Sequence, residues 1–271
     1  MLDALLNFSE YQFKERFNSI IQDLTFEKVP EVIPSAFLLG GQAGSGKTGL
    51  QGIINTRMKS NIIVINNDSF KTMHPNFKEL AQKYGSEVTK LVTPFSNRMT
   101  EETILFLAKQ RYNIVIEGTL RTIETPYKTA TLLKNEDYDV HLYLMAVPAQ
   151  LSYLGTLIRF EDMYANNPLT ARFTSKEIHD KMVEMLPVNA EQLFNLQLFE
   201  TIKVYTRDGE CIYTNEQYNF SPKAELKKKL STLIESNELK YYTDLLFSKM
   251  KANNRHTKEY ELGVLSELKS Y

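Results

Sequence analysis

The chain has 271 residues, with 32 Lys and Arg against 33 Asp and Glu, a formal net charge of -1. That balance excludes a general nucleic-acid binder, which carries a strong basic excess, and 42% apolar with 24% charged residues excludes wholesale disorder. No run of 18 apolar residues supplies a membrane-spanning helix, MLDALLNFSE puts Asp3 where a signal peptide carries basic residues, and the lone Cys211 fits a reducing compartment. The expectation is a cytoplasmic protein of one or two domains with no membrane or nucleic-acid partner.

From the start of the chain, apolar residues at near-helical spacing (Phe13, Phe17, Ile20, Ile21, Leu24) predict one or two short helices within 7–28. Pro30 and Pro34 then break the chain. Five short apolar runs follow, AFLL (36–39), NIIVI (61–65), YNIVI (112–116), HLYLMAV (141–147) and IKVYT (202–206). Most are apolar at consecutive positions, the pattern of strands buried on both faces of a parallel sheet. Segments of helical character lie between them or follow them, at 47–59, 96–110, 124–135, 149–165 and 175–198. The alternation predicts an α/β fold, a mostly parallel sheet flanked by crossover helices. After about residue 215 the strands stop. Segments 222–237 and 238–252 read as helices, with a polar break at 253–256. Residues 221–271 carry ten Lys and Arg against seven Asp and Glu, and the remainder 22 against 26. The division expected is an α/β unit over 1–215, with the helical segment 1–34 included, and a helical extension over 216–271.

The first predicted strand runs into GGQAGSGKTG, in which Gly41, Gly46, Lys47 and Thr48 satisfy G-x-x-x-x-G-K-[ST]. Glycines let the backbone turn so that several N–H groups point inward at phosphate oxygens, and the following helix aims its positive N-terminus at the same point. Residues Gly41, Gln42, Ala43, Gly44, Ser45, Gly46, Lys47 and Thr48 are therefore the nucleotide-binding set. Lys47 is expected to reach the β- and γ-phosphates and the Thr48 hydroxyl to ligate Mg²⁺. The strand before and helix after supply the context that the motif requires.

Asp68 falls just past the second strand and Glu117 at the end of the third, the rim where open parallel sheets bind ligands. Asp68 can hold Mg²⁺, accept the proton of an attacking hydroxyl, or cap the next segment. Glu117 can orient metal-bound water, grip a substrate, or serve structure alone. No Asn-Lys-x-Asp guanine-reading element occurs, which favours a kinase over a GTPase. Arg159 and Arg172 flank the polar stretch FEDMYANNPLTA. On a mobile segment they can close over transferring phosphate; the alternative is local pairing with Glu161 or Asp162.

The stretches NFSEYQF (7–13), AFLLGGQAGSGKT (36–48), HPNF (74–77), TPFSNRMTE (93–101), YNIVIEGTLRT (112–122) and SYLGTLIRFEDMYANNPLTAR (152–172) together resemble the zeta toxins of epsilon-zeta and Pez-type toxin-antitoxin systems. VYTRDGECIY (204–213) adds a weaker match. The resemblance implies a P-loop kinase fold and an ATP- and Mg²⁺-dependent kinase. Its acceptor would be the 3'-hydroxyl of the amino sugar of UDP-N-acetylglucosamine, so that peptidoglycan precursor synthesis is blocked. It implies catalytic roles for Asp68, as base, and for Lys47, Arg159 and Arg172. It also implies sugar-nucleotide contacts at Glu101, Glu117, Arg121 and Thr129. A small helical antitoxin that blocks the nucleotide site, in a heterotetramer, is the implied partner, with residues 1–34 a candidate part of its surface. One position departs from the family pattern: the segment reads Ile65-Asn66-Asn67-Asp68 where I-D-x-D is expected. Two alternatives stand beside this reading: a P-loop kinase of another small hydroxyl metabolite, and a nucleotide-binding module without chemistry.

Overall fold

Six strands order the molecule, and their pairing explains the unbroken apolar runs. A computed structural model describes residues 4–271. The strands are β1 (Ser35–Gly40), β2 (Ile63–Ile65), β3 (Ile114–Glu117), β4 (Asp139–Met145), β5 (Thr201–Tyr205) and β6 (Cys211–Thr214). They form one sheet in the order β2-β3-β1-β4-β5-β6. The first five are parallel, and β6 runs antiparallel to β5. Along β1, Ala36 and Leu38 enter one core while Phe37 and Leu39 enter the core on the opposite face. Burial on both faces requires consecutive apolar residues instead of alternation.

The helices are α1 (Glu10–Thr25), α2 (Lys47–Arg57), α3 (Asn67–Phe70), α4 (Phe77–Tyr84), α5 (Val88–Leu91), α6 (Thr93–Lys109), α7 (Glu124–Asn135), α8 (Ala149–Asn166), α9 (Lys176–Asn195), α10 (Lys223–Leu230), α11 (Ser236–Ala252) and α12 (Lys258–Lys269). The larger core joins one sheet face to α1, α6, α7, α9 and α10, through residues such as Phe13, Phe95, Leu133, Leu186 and Leu226. The opposite face packs on α2 through Leu50 and Ile54 and on α8 through Leu151. A further cluster joins Tyr153, Leu154 and Leu157 of α8 to Leu246 and Met250 of α11 and to Val264 and Leu268 of α12. No helix among the described residues is long and apolar enough to cross a membrane.

Several boundaries differ from the expectations. The segment between β2 and α6, where the apolar pattern predicts no element, holds α3, α4 and α5, whose small core is Leu80, Ala81, Val88 and Val92. Helix α6 starts at Thr93, three residues early, because Pro94 sits in its first turn, where proline is well tolerated. The predicted helix 222–237 divides. Its first part ends at Leu230, and the Ser231 and Thr232 hydroxyls bond back to the Lys228 carbonyl, competing with helix continuation. Strand β6 is an addition, closed onto β5 by a turn with Gly209 at φ 89°. The polar break at 253–256 is present, with Asn254 in a left-handed conformation, and α12 follows it, capped by Thr257.

Candidate active site

Parallel strands place their C-terminal ends at one rim, and there the candidate residues gather. The loop after β1 leads into α2, whose first residue is Lys47. Gly44 takes φ +72°, and a Cβ there would lie 2.0 Å from the Ser152 carbonyl oxygen of α8. Only glycine fits this close approach. The Ser45 hydroxyl is buried with no hydrogen-bond partner among the described residues. Lys47 donates to the carbonyls of Gly41 (2.9 Å) and Gln42 (3.3 Å). Burial pushes its ammonium down to about 8, against the attraction of Glu117. Thr48 stands exposed in the first turn of the helix.

Asp68 lies in the first turn of α3, a short helix capped by Asn66, whose side-chain oxygen accepts from the Asp68 N–H at 2.9 Å. The Asp68 carboxylate pairs with Arg172 at 2.5 Å and Lys71 at 3.0 Å. Burial alone would raise its pKa, but these two cations outweigh it and hold the carboxyl below its ordinary value. Glu117, at the end of β3, accepts from Asn66 at 2.5 Å and from Gln51 of α2 at 3.2 Å, both on Oε2. Asn66 thus ties the tip of β2 to the tip of β3.

A cleft of about 500 Å³ unites Ala43, Gly44, Lys47, Asn66, Asp68, Glu117, Arg121, Arg159 and Arg172. The local pairing weighed for the two arginines is not what the structure holds. Glu161 pairs with Arg255 and Asp162 with Lys249. Arg172 turns to Asp68, and Arg159 forms no ion pair among the described residues. A second cavity of about 250 Å³ opens beside the first and shares Glu117, Gly118, Thr119 and Arg121 with it. Thr129 lines only this second space. Glu101 lies on the exposed face of α6 and lines neither.

Lys71 and Arg207 were not singled out from sequence. Lys71 lies one helical turn after Asp68, a spacing that could have flagged it. Arg207 sits in the β5–β6 turn with its side chain next to Gly46. The dipeptide Asp208-Gly209 between two β-rich runs was the available signal for that hairpin. Among the described residues, no three His, Cys, Asp or Glu side chains converge as a metal site. The donors that fit a nucleotide-borne Mg²⁺ are the Thr48 hydroxyl and the Asp68 and Glu117 carboxylates. All are hard oxygens, and Mg²⁺ draws its remaining ligands from phosphates and water.

The zeta toxin family matches residues 19–218 of the chain. The toxin zeta of Streptococcus agalactiae is 43% identical over 264 residues, covering 97% of this chain and 92% of that one. The toxin zeta of Streptococcus pyogenes is 45% identical over the same shares. A solved structure from the PezAT chromosomal toxin-antitoxin system of Streptococcus pneumoniae superposes with a TM-score of 0.82 at 34% identity, covering 94% of this chain and 100% of that one. A P-loop cleft of this composition, matched over most of the chain by named toxins, leaves one assignment: the chain belongs to the zeta toxin family, the kinase-like toxins of toxin-antitoxin systems.

Proposed function

We propose that the chain is an ATP-dependent kinase that transfers the γ-phosphoryl group to the 3'-hydroxyl of the amino sugar of UDP-N-acetylglucosamine. The observation that carries this reading is the Asp68–Arg172 pair facing Lys47 across one cleft. Residues 41–48 bind the triphosphate. Lys47, Arg159 and Arg172 offset the charge that spreads over the transferring group. Asp68, ionised at neutral pH, accepts the acceptor hydroxyl's proton. Its low basicity is adequate because the phosphoryl transition state is loose and the proton leaves late. Arg121 and Glu117, at the junction of the two cavities, and Thr129 in the second, would hold the sugar nucleotide. Glu101 would have to reach it from outside both spaces. Mg²⁺, bound with ATP, would be held by the Thr48 hydroxyl and would neutralise phosphate charge.

On this reading the protein acts in the cytoplasm, where the sugar nucleotide is made. Residues 1–215 form the kinase unit and 216–271 a helical extension. A small helical antitoxin covers the nucleotide site, in a heterotetramer, with residues 1–34 contributing surface. The names of the related toxins support such a partner.

The test is a mass-spectrometric assay of purified protein with ATP, Mg²⁺ and UDP-N-acetylglucosamine. The expected result is ADP and a sugar nucleotide heavier by one phosphate. Asp68→Ala should lower turnover by about 10²- to 10⁴-fold while ATP still binds. Lys47→Ala should weaken both. A full-rate Asp68→Ala enzyme sinks the base assignment. Phosphate on a different hydroxyl metabolite, with none on the sugar nucleotide, would keep the kinase and replace its acceptor.

A further inference from the structure

A buried polar chain runs from the phosphate-binding loop to α9 and Tyr271, and beyond Gln42 nothing in the catalytic reading uses it. It begins at Gln42, which is fully buried within the loop. Its side-chain nitrogen donates to the Val147 carbonyl at 2.7 Å and to Ser152 Oγ of α8 at 3.2 Å. The Val147 carbonyl can only accept, which fixes the orientation of the amide. Ser152 Oγ lies 2.9 Å from Nε2 of His179, on α9. His179 Nδ1 lies 3.0 Å from the hydroxyl of Tyr271, which follows α12. That hydroxyl donates to Asp180 Oδ1 at 2.7 Å. Ser152 and His179 are both fully buried.

The donors can be ordered. The Tyr271 hydroxyl has one proton, and the Asp180 carboxylate takes it. His179 Nδ1 must then be the donor toward Tyr271, and Asp180 Oδ1, 3.5 Å from the same nitrogen, favours a proton there. Nε2 is left as an acceptor for the Ser152 hydroxyl at 2.9 Å, a proton that the Ala149 carbonyl of the same helix also draws at 3.0 Å, and the Ser152 oxygen in turn accepts from Gln42. Every link runs in one direction, from the loop amide to a carboxylate that Lys176 also holds. The same lysine lies 4.2 Å over the Tyr271 ring, and Tyr153 packs against both aromatic rings.

We infer that Tyr271 and His179 are positioning residues for the phosphate-binding loop, acting through Ser152 on Gln42. The Gln42 carbonyl also receives the Lys47 ammonium, so the residue that the chain grips is one that places the lysine. A directed set of buried hydrogen bonds specifies one geometry, and a missing member leaves the rest unsatisfied. Helix α8 touches the loop, and α9 and Tyr271 reach it through Ser152, so all three are coupled to the position of the loop backbone. This inference rests on the phosphate-binding reading of the loop, and its test is chosen to separate the two.

The experiment compares the nucleotide-free full chain with Tyr271→Phe and Ser152→Ala by amide hydrogen exchange. Tyr241→Phe, at an exposed tyrosine of α11, serves as the control. Tyr271→Phe keeps the ring and its packing and removes only the hydroxyl. Exchange over residues 41–46 should quicken roughly threefold to tenfold in Tyr271→Phe and Ser152→Ala, the scale of one lost hydrogen bond, and not in the control. In the kinase assay the KM for ATP should rise by a similar factor while the KM for the acceptor stays unchanged. A lowered melting temperature with wild-type loop exchange and wild-type KM for ATP would overturn the inference, leaving these residues as packing alone. Faster loop exchange in a protein that transfers no phosphate would uphold the coupling and reject the kinase reading.

Discussion

An amide at position 66 donates where a carboxylate could only accept. Asn66 gives a proton to Glu117 at 2.5 Å and receives one from the Asp68 N–H at 2.9 Å, linking two strand tips beneath the cleft. The zeta-toxin resemblance implies Asp at this position. In this chain Asn66→Asp would keep the cap on α3 but set two carboxylates against each other. The expected outcome is a loss of about 1–3 kcal/mol in urea denaturation at pH 7, from the lost bond and the new repulsion. Millimolar Mg²⁺ should recover part of it, because a divalent cation between the carboxylates offsets their repulsion. Equal stability of the two proteins in metal-free buffer would contradict this account of the link. Much of the cleft was legible in the sequence at this scale. Lys47 and Thr48 follow from a motif whose spacing carries its chemistry, and Asp68 and Glu117 from their place at strand ends. The partners were not legible: that Arg172 meets Asp68 while Glu161 meets Arg255 depends on contacts 104 and 94 positions apart in the chain, which no local spacing encodes.

Between elements, the contact of α8 with the phosphate-binding loop is set by two glycines. A Cβ on Gly155 would lie 2.6 Å from the Gly44 carbonyl oxygen, a backbone atom that can yield only if the loop or the helix moves. Gly52, inside α2, would meet nothing within 4 Å. The same substitution should therefore act in opposite directions. Gly52→Ala removes backbone freedom from the unfolded chain and should stabilise by about 0.5–1 kcal/mol. Gly155→Ala should destabilise by about 1–3 kcal/mol through overpacking, and should weaken ATP binding because the displaced segment is the loop itself. Thermal unfolding and binding of a non-hydrolysable ATP analogue measure the two effects. A Gly155→Ala protein with wild-type nucleotide affinity would show that the contact is not what shapes the loop. Glycine context of this kind was invisible in the sequence, since neither residue is marked by its neighbours. The five parallel strands were visible because burial on both faces leaves a continuous apolar signature. The short helices α3, α4 and α5 were not, because a four- or eight-residue helix shows too few turns to establish a period. Strand β6 was hidden because only part of it is buried at the sheet edge.

Across the whole molecule, the core encloses three imidazoles: His74, His141 and His179 are each less than a tenth exposed. His141 stacks on Phe37 with ring centroids 4.7 Å apart and shares a hydrogen bond with the Thr201 hydroxyl. Burial pushes both His141 and His179 down to about 4, and lowers His74 as well. A histidine depressed in the folded state takes up its proton only when the chain unfolds. Between the ordinary value near 6.5 and the folded value near 4, the unfolded chain holds more protons, so stability rises with pH in that window and falls as pH drops through it. The carboxylates that cation pairs hold low, Asp68 and Asp180 among them, add their own loss only below the ordinary carboxylate range. The interval from pH 6.5 to 5 therefore isolates the histidines. Each can contribute up to about 1.4 kcal/mol per pH unit there. Urea denaturation of the wild type at pH 7, 6 and 5 should show a progressive loss, and His141→Gln should lose less over the same interval, whatever its stability at pH 7. Parallel losses in the two proteins would mean that His141 protonates as readily inside the sheet as outside it. The stacking on Phe37 would then have to admit a charge that the apolar surroundings of β1 and β4 argue against.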